Sequence, residues 1–215
     1  MNTEDKVLLM FDIQNRLNTF LDEHWVSKNW NYRQALMVEA AEFSEHIGFK
    51  WWKKQTPDLH QAKLELVDMW HFIMSYIMAE SPSLIEMGSI SRVCEHWDSG
   101  NYNLDECTLP DLVMRLVSET DPFMVMAAFR KLCCKLDMTF EDLYKLYVGK
   151  SALNEFRWEN GYGNGSYIKL WDGREDNEYL TEIITNPETD TVEDLSGYIK
   201  KHLLDTYNKL VIGTF

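Results

Sequence analysis

The segment LELVDMWHFIMSYIMA, residues 64–79, is apolar on almost every side and decides the fold class. A helix of this composition is normally buried. The segment also contains Glu65, Asp68 and His71, and it is shorter than the ~18–20 uncharged residues that a membrane span needs. We therefore predict a buried core helix over residues 59–80.

The rest of the chain has mostly helical periodicity, with apolar residues recurring at intervals of three and four. Proline and glycine are scarce before residue 161. We predict an all-α helical bundle that forms a single domain over residues 1–215. Residues 83–138 are less regular and are interpreted as an inserted or mobile helical lobe. The other predicted helices cover residues 4–21, 32–49, 139–159 and 192–210.

Charge and cysteine usage limit the functional classes. The formal net charge of −14 disfavours binding to nucleic acid or to an anionic membrane, because both partners require a basic surface. The four cysteines form neither a CxxC pair nor a zinc-site spacing with histidines, and the start MNTEDKVLLM is not typical of a signal peptide. We expect a cytoplasmic protein, or one of the host cytoplasm if the chain is viral.

Two pairs of carboxylates carry the first candidate chemistry: Glu39 with Glu42, and Glu65 with Asp68. Residues three apart share a helix face, so two packed helices can bring all four acids together. A solvated acidic face is the alternative for Glu39 and Glu42. Glu65 and Asp68 interrupt the apolar segment 64–79, which contains no Lys or Arg, and a buried carboxylate is costly without a partner. A divalent cation is the economical partner, and it would let an acidic protein bind a phosphate ester.

A second cluster comprises Lys150, Asn154 and Arg157, which share one face of a predicted helix. Lys and Arg supply the donors that phosphate oxygens require, and Arg can engage two oxygens at once. An ordinary solvated basic face is the alternative. Residues 161–177, GYGNGSYIKLWDGREDN, follow as a long segment without a sustained period, which is typical of a functional loop.

The histidines are interpreted differently from one another. His71 lies three residues after Asp68 on the same helix face. The remaining ones show no metal-ligand spacing and are interpreted as structural: His24, His46, His60, His96 and His202.

Taken in chain order, these motifs resemble the dimeric, all-α dUTPase family, which includes phage dCTPase–dUTPases. The ExxE of Glu39–Glu42 and the ExxD of Glu65–Asp68 are shared with other all-α NTP pyrophosphatases such as the MazG-like proteins. The segment KSALNEFRWENGYGNGSYIKLWDGREDN, residues 150–177, is more specific. The resemblance covers about residues 8–72 and 139–180.

The resemblance implies a homodimer that hydrolyses dUTP, with dUDP as a second substrate, to dUMP by attack of water. It implies two or more Mg²⁺ ions, with Mn²⁺ as a substitute, bound by Glu39, Glu42, Glu65 and Asp68. Contacts to phosphates and sugar are implied for Lys150, Asn154, Arg157, Tyr162 and Lys169. Contacts to the base are implied for Gln14, Asn18, Trp52 and His71. Anchoring of the closing loop is implied for Glu175, Asp176 and Asn177.

The same residues are compatible with neighbouring functions. Gln and Asn amides can rotate to satisfy either uracil or cytosine, so a dCTPase, a dCTPase–dUTPase or a broader pyrimidine deoxynucleotide pyrophosphatase is the first alternative. A non-enzymatic regulatory or binding protein on the same fold is the second, with residues 83–138 as the surface for a protein partner. Among the carboxylates, Glu39 is our candidate for the general base.

Overall fold

The computed structural model describes residues 1–80, 93–94, 97 and 104–213. Apart from one short hairpin, the described elements are helical, which confirms the predicted all-α class. None of the described helices combines the length and apolar composition of a transmembrane span. The chain divides into two compact units, Met1–Leu143 and Tyr144–Phe215. The α-helices are α1 (Thr3–Leu21), α2 (Tyr32–His46), α3 (Leu59–Glu80), α4 (Leu109–Ser118), α5 (Pro122–Lys135), α6 (Phe140–Glu159), α7 (Asp176–Ile184) and α8 (Leu195–Tyr207).

The first unit is built around α3, which has the predicted bounds and is buried along most of its length. Helices α1, α2 and α5 pack against it. The ring of Trp70 on α3 stacks on that of Phe129 on α5, with centroids 5.2 Å apart. Burying a large apolar side chain contributes about 1.5–3 kcal/mol, so α3 is the main source of cohesion in this unit.

Helix α2 ends earlier than the periodicity predicts. Residues 32–49 are expected to be helical, but the helix stops at His46. Gly48 adopts a left-handed φ of 72°, which terminates the helix and leaves Phe49 in the following loop. Asp58 then accepts a hydrogen bond from the Gln61 amide at 3.1 Å and caps the start of α3.

Helices α4 and α5 lie within residues 83–138. Thr108 and Asp111 form a reciprocal cap at the start of α4, and Asp121 caps α5. The two helices pack on each other, and α4 also contacts α2. Part of the predicted lobe lies outside the described residues. The single domain and the inserted or mobile lobe stay predictions.

The second unit has an aromatic core. The Phe156 ring of α6 meets those of Trp171 and Tyr207 edge-on, with centroids 6.0 and 5.4 Å apart. A Cβ at position 149 would come within 2.3 Å of the Ile184 side chain. A larger residue there would force the Ile184 side chain to shift, so glycine favours the close approach of α7 to α6.

The predicted loop over residues 161–177 contains regular secondary structure that its sequence does not indicate. Strands β1 (Leu170–Trp171) and β2 (Arg174–Glu175) form an antiparallel hairpin. Its turn is Asp172-Gly173, with φ values of 48° and 81°, the conformation of the tight turns that match strand twist. Asp176 and Asn177, expected to end the loop, are instead the first residues of α7, a helix that the periodicity did not predict.

Helix α8 occupies the middle of the final predicted helix, residues 192–210. It is capped by the Asp194 side chain, which accepts from the Gly197 amide at 2.9 Å. A π-helical turn, Asn208–Ile212, follows it.

Candidate functional site

Three of the four predicted metal-binding carboxylates come together in the first unit. Glu39 and Glu42 project from α2 and Glu65 from α3, and one carboxylate oxygen of each lies within 4.8 Å of the others. We call this group the acidic triad. Glu65 is buried, Glu39 is half-buried and Glu42 is exposed. The packing of α2 against α3 creates the group, as the spacing of three on each helix predicts.

The acidic triad has the donor set of a Mg²⁺ site. Oxygens on opposite sides of one Mg²⁺ lie about 4.2 Å apart, close to the span of this group. Two carboxylate charges 4.8 Å apart repel by about 3.5 kcal/mol at an effective dielectric constant of about 20. A divalent cation would convert that repulsion into attraction, so the residues present fit the predicted ion.

Asp68 is not a member of this group. It lies three residues beyond Glu65 on α3 and is half-buried. The expectation that four acids converge is therefore met for three, and the role of Asp68 as a metal ligand stays a prediction.

His46 is a neighbour of the acidic triad that the sequence interpretation did not include. Its Nε2 lies 3.4 Å from Oε1 of Glu65. An imidazole at this position can orient a metal-binding carboxylate. The spacing of four between Glu42 and His46 on α2 is the signal that would have placed it on the acidic face.

Three of the predicted base-binding residues form a buried polar network with Ser75. Gln14 Oε1 lies 2.6 Å from His71 Nδ1, and Gln14 Nε2 donates to Asn18 Oδ1 at 3.0 Å. Asn18 Nδ2 in turn donates to the Ser75 hydroxyl at 3.0 Å. Because an amide oxygen can only accept, this arrangement requires a proton on His71 Nδ1. Ser75 was not predicted, although its spacing of four from His71 places it on the same face.

Trp52, the fourth predicted base-binding residue, lies in a different environment. It is 59% exposed in the loop between α2 and α3, where its ring meets those of Phe49 and Trp51 edge-on. The structure does not bring Trp52 into the buried network. Its contact with a base stays a prediction.

The predicted phosphate-binding residues Lys150, Asn154 and Arg157 lie on α6. Lys150 is buried and the other two are half-buried. Arg157 forms a two-pronged ion pair with the fully buried Asp176: Nε donates to Oδ2 at 2.8 Å and one terminal nitrogen to Oδ1 at 2.7 Å. The other terminal nitrogen donates to Asn154 Oδ1 at 3.2 Å. Arg157 is thus already engaged with an anion of its own chain.

Tyr167 joins this ion pair and is a residue that the sequence analysis missed. Its hydroxyl donates to Asp176 Oδ2 at 2.8 Å. Burial, reinforced by this hydrogen bond, raises the pKa of Tyr167 far above its ordinary value. Burial opposes the charge of Arg157, but the hydrogen bonds to Asp176 and the attraction of its negative charge together raise the Arg157 pKa.

The remaining predicted residues of this segment are more exposed. Lys169 pairs with Glu175 at 3.0 Å, and both side chains are about half exposed. Tyr162 is 50% exposed. Asn177 approaches the Arg157 guanidinium at 3.5 Å. The contacts of Asp176 and Asn177 tie the start of α7 to α6, while their role in closing over a ligand stays a prediction.

The chain is similar to a known protein family. A protein-family model described as dUTPase matches residues 6–162, more than two thirds of the chain. The matched region contains the acidic triad, Asp68 and the polar residues of α6; Lys169 and residues 175–177 lie beyond it. No curated protein matches the chain.

Proposed function

The chain belongs to this dUTPase family, and we propose that it hydrolyses a pyrimidine deoxynucleoside triphosphate, dUTP above all, to the monophosphate and pyrophosphate. Family membership supports a nucleotide-hydrolysing enzyme. The main structural support for triphosphate hydrolysis is the acidic triad. Its three carboxylates lie within 4.8 Å of one another on two packed helices and suit a divalent cation, which a triphosphate also binds.

We propose Mg²⁺ as the cofactor, bound by Glu39, Glu42 and Glu65 with Asp68 as a further ligand. When bound, Mg²⁺ would offset the negative charge of the phosphates and lower the pKa of a water molecule bound to it. Two or more ions would distribute these tasks, and Mn²⁺ would substitute. His46 would hold the Glu65 carboxylate in its binding orientation.

The protein's own side chains supply the remaining chemistry. Glu39, only half-buried, is the proposed general base that accepts a proton from the attacking water. Donors to the phosphates stabilise the charge that develops on the leaving group. We assign contacts with the phosphates and sugar to Lys150, Asn154, Arg157, Tyr162 and Lys169.

The base preference is proposed from the buried polar network. Both ends of the Gln14 and Asn18 amides are engaged with neighbours, so neither amide can rotate without breaking a buried hydrogen bond. A fixed amide orientation favours one pyrimidine over the other, and we propose dUTP, with dUDP as a second substrate. A dCTPase or a broader pyrimidine nucleotide pyrophosphatase on the same family scaffold is the alternative. We also propose that the active form is a homodimer.

A substrate panel tests these proposals. Pyrophosphate release is measured for dUTP, dCTP, dTTP and UTP with Mg²⁺ and again with EDTA. We expect the fastest release from dUTP and none in EDTA. Equal rates on all four substrates would contradict the base preference, and no release from any of them would contradict the enzymatic function.

A matched pair of variants on α2 links the activity to the acidic triad. Glu42→Gln removes a member of the triad, whereas Glu45→Gln neutralises an exposed acid on the same helix that pairs with Lys50. The proposal requires loss of turnover in Glu42→Gln and wild-type turnover in Glu45→Gln.

A further inference from the structure

The hairpin brings two distant side chains together beside α6. Leu170 pairs with Glu175, and the Asp176 amide donates to the Lys169 carbonyl at 3.1 Å, so the chain continues in register past both strand ends. Tyr167, before the hairpin, and Asp176, after it, thus come into hydrogen-bond contact at 2.8 Å. Because the Asp172-Gly173 turn is tight, closing the short segment between the two residues costs little conformational entropy.

The Asp176 carboxylate accepts three hydrogen bonds from two side chains. Oδ2 accepts from Arg157 Nε and from the Tyr167 hydroxyl, and Oδ1 accepts from an Arg157 terminal nitrogen. The Tyr167 ring is itself fixed, because it stacks on Tyr207 with centroids 5.7 Å apart and meets Phe156 edge-on. A carboxylate with no exposed surface and a packed tyrosine together leave Arg157 one orientation.

Counting donors shows what Arg157 retains for a ligand. A guanidinium has five N–H groups. Two bond Asp176, one bonds Asn154 and one points at Asn177. Within the described residues, one N–H of the terminal nitrogen that contacts Asn154 is left over. A two-pronged grip on phosphate, expected from the sequence, would require breaking the pair with Asp176.

We propose that Asp176 and Tyr167 are positioning residues that fix the Arg157 guanidinium, so that it offers a single N–H to a substrate phosphate. The inference rests on the proposed function. A group held in place before the reaction needs no reorganisation when charge develops on the phosphates, so its contribution falls on kcat more than on KM. Pairing with Asp176 also offsets the cation and weakens its attraction for the ground-state triphosphate.

If Asp176 and Tyr167 position Arg157, their variants should lower kcat without raising KM. A pair with only a structural role would change stability and leave kcat and KM unchanged. Tyr167→Phe keeps the ion pair but removes one donor, and we expect kcat to fall about three- to tenfold with little change in KM. Asp176→Asn frees the cation and loses its orientation; we expect a larger fall in kcat with an unchanged or lower KM. Because the two residues act through one guanidinium, the double variant is no worse than Asp176→Asn alone.

Tyr198→Phe is the matched control. Tyr198 also donates to a carboxylate, Glu188, at 3.0 Å in the same unit, but that carboxylate has no contact with Arg157. Steady-state kinetics with dUTP and Mg²⁺, and melting temperatures, are measured for wild type and all variants. We expect wild-type kinetics for Tyr198→Phe.

Two results would overturn the inference. One is a lower melting temperature in Tyr167→Phe and Asp176→Asn with wild-type kcat and KM, which is the behaviour of a purely structural pair. The other is a higher kcat in Asp176→Asn, which would show that Asp176 blocks Arg157. If Asp176→Asn fails to fold, Tyr167→Phe alone decides.

A binding measurement keeps this test independent of turnover. If the wild-type protein hydrolyses none of the nucleotides, the proposed function has failed, but calorimetry with inorganic pyrophosphate and Mg²⁺ still tests the positioning of Arg157. Pyrophosphate is the leaving group and carries the charge that develops during the reaction, so its affinity should follow kcat and not KM. We expect about threefold or more weaker binding in Tyr167→Phe than in Tyr198→Phe. Equal affinities would overturn the inference.

Discussion

Replacing Glu65 with glutamine changes the acidic triad by one charge at nearly constant shape. Without a cation, Glu65 and the half-buried Glu39 repel by about 3.5 kcal/mol at an effective dielectric constant of about 20, since their oxygens lie within 4.8 Å. The pair with the exposed Glu42 is closer to the aqueous value of about 1 kcal/mol. The contact of Glu65 with His46 at 3.4 Å offsets part of this repulsion. We take about 2 kcal/mol, roughly half of the summed repulsion of about 4.5 kcal/mol, as the net repulsion that the variant relieves.

This magnitude can be measured as a thermal shift. For a chain of this size, about 2 kcal/mol corresponds to about 4–8 °C in melting temperature. In EDTA, Glu65→Gln should therefore melt at a higher temperature than wild type. Adding Mg²⁺ should stabilise the wild-type protein, because a ligand that binds only the native state raises its stability, and should have little effect on the variant.

The control is Glu45→Gln, which lies outside the acidic triad and should respond to Mg²⁺ as the wild type does. If Glu65→Gln kept the full Mg²⁺-dependent shift, or melted below the wild type in EDTA, the reasoning from mutual repulsion would be wrong.

Three further predictions follow from other described residues. Asp68→Asn should lose turnover in a pyrophosphate-release assay while circular dichroism shows a folded protein; unchanged activity would remove Asp68 from the metal site. Burial raises the pKa of Tyr32 to about 12, so its contribution to stability is complete below about pH 10 and is lost as the pH rises towards 12. Its buried hydroxyl has no hydrogen-bond partner in the described part of the chain, so Tyr32→Phe should be neutral or slightly stabilising in urea denaturation at pH 7 and should flatten the loss above pH 10. Burial also raises the pKa of the Cys133 thiol, whereas Cys134 is exposed; iodoacetamide should modify Cys134 alone of this pair, as mass spectrometry of the native protein would show.

The sequence predicted those parts of the molecule that depend on helical periodicity. Helix α3 has the expected bounds because its apolar composition leaves no alternative to burial. Glu39, Glu42 and Glu65 meet because their spacing follows directly from helix geometry. The reciprocal caps at the starts of helices also lie within a few residues and are visible as local motifs, as at Thr139 and Asp142.

The features that were missed depend on contacts that periodicity does not encode. Helix α7 is only nine residues long and follows a hairpin, so its pattern is too short to stand out. Tyr167 gains its role from a turn that returns the chain to Asp176. The spacing of four places His46 on the same α2 face as Glu42, but its contact with Glu65 depends on how the two helices pack.

Diffraction from crystals grown with Mn²⁺ and a non-hydrolysable dUTP analogue would locate the metal site, because Mn²⁺ replaces Mg²⁺ and its anomalous scattering marks its position. We predict an anomalous peak within metal–ligand distance of the carboxylate oxygens of Glu39, Glu42 and Glu65. A nucleotide bound with no peak among these three carboxylates would contradict it.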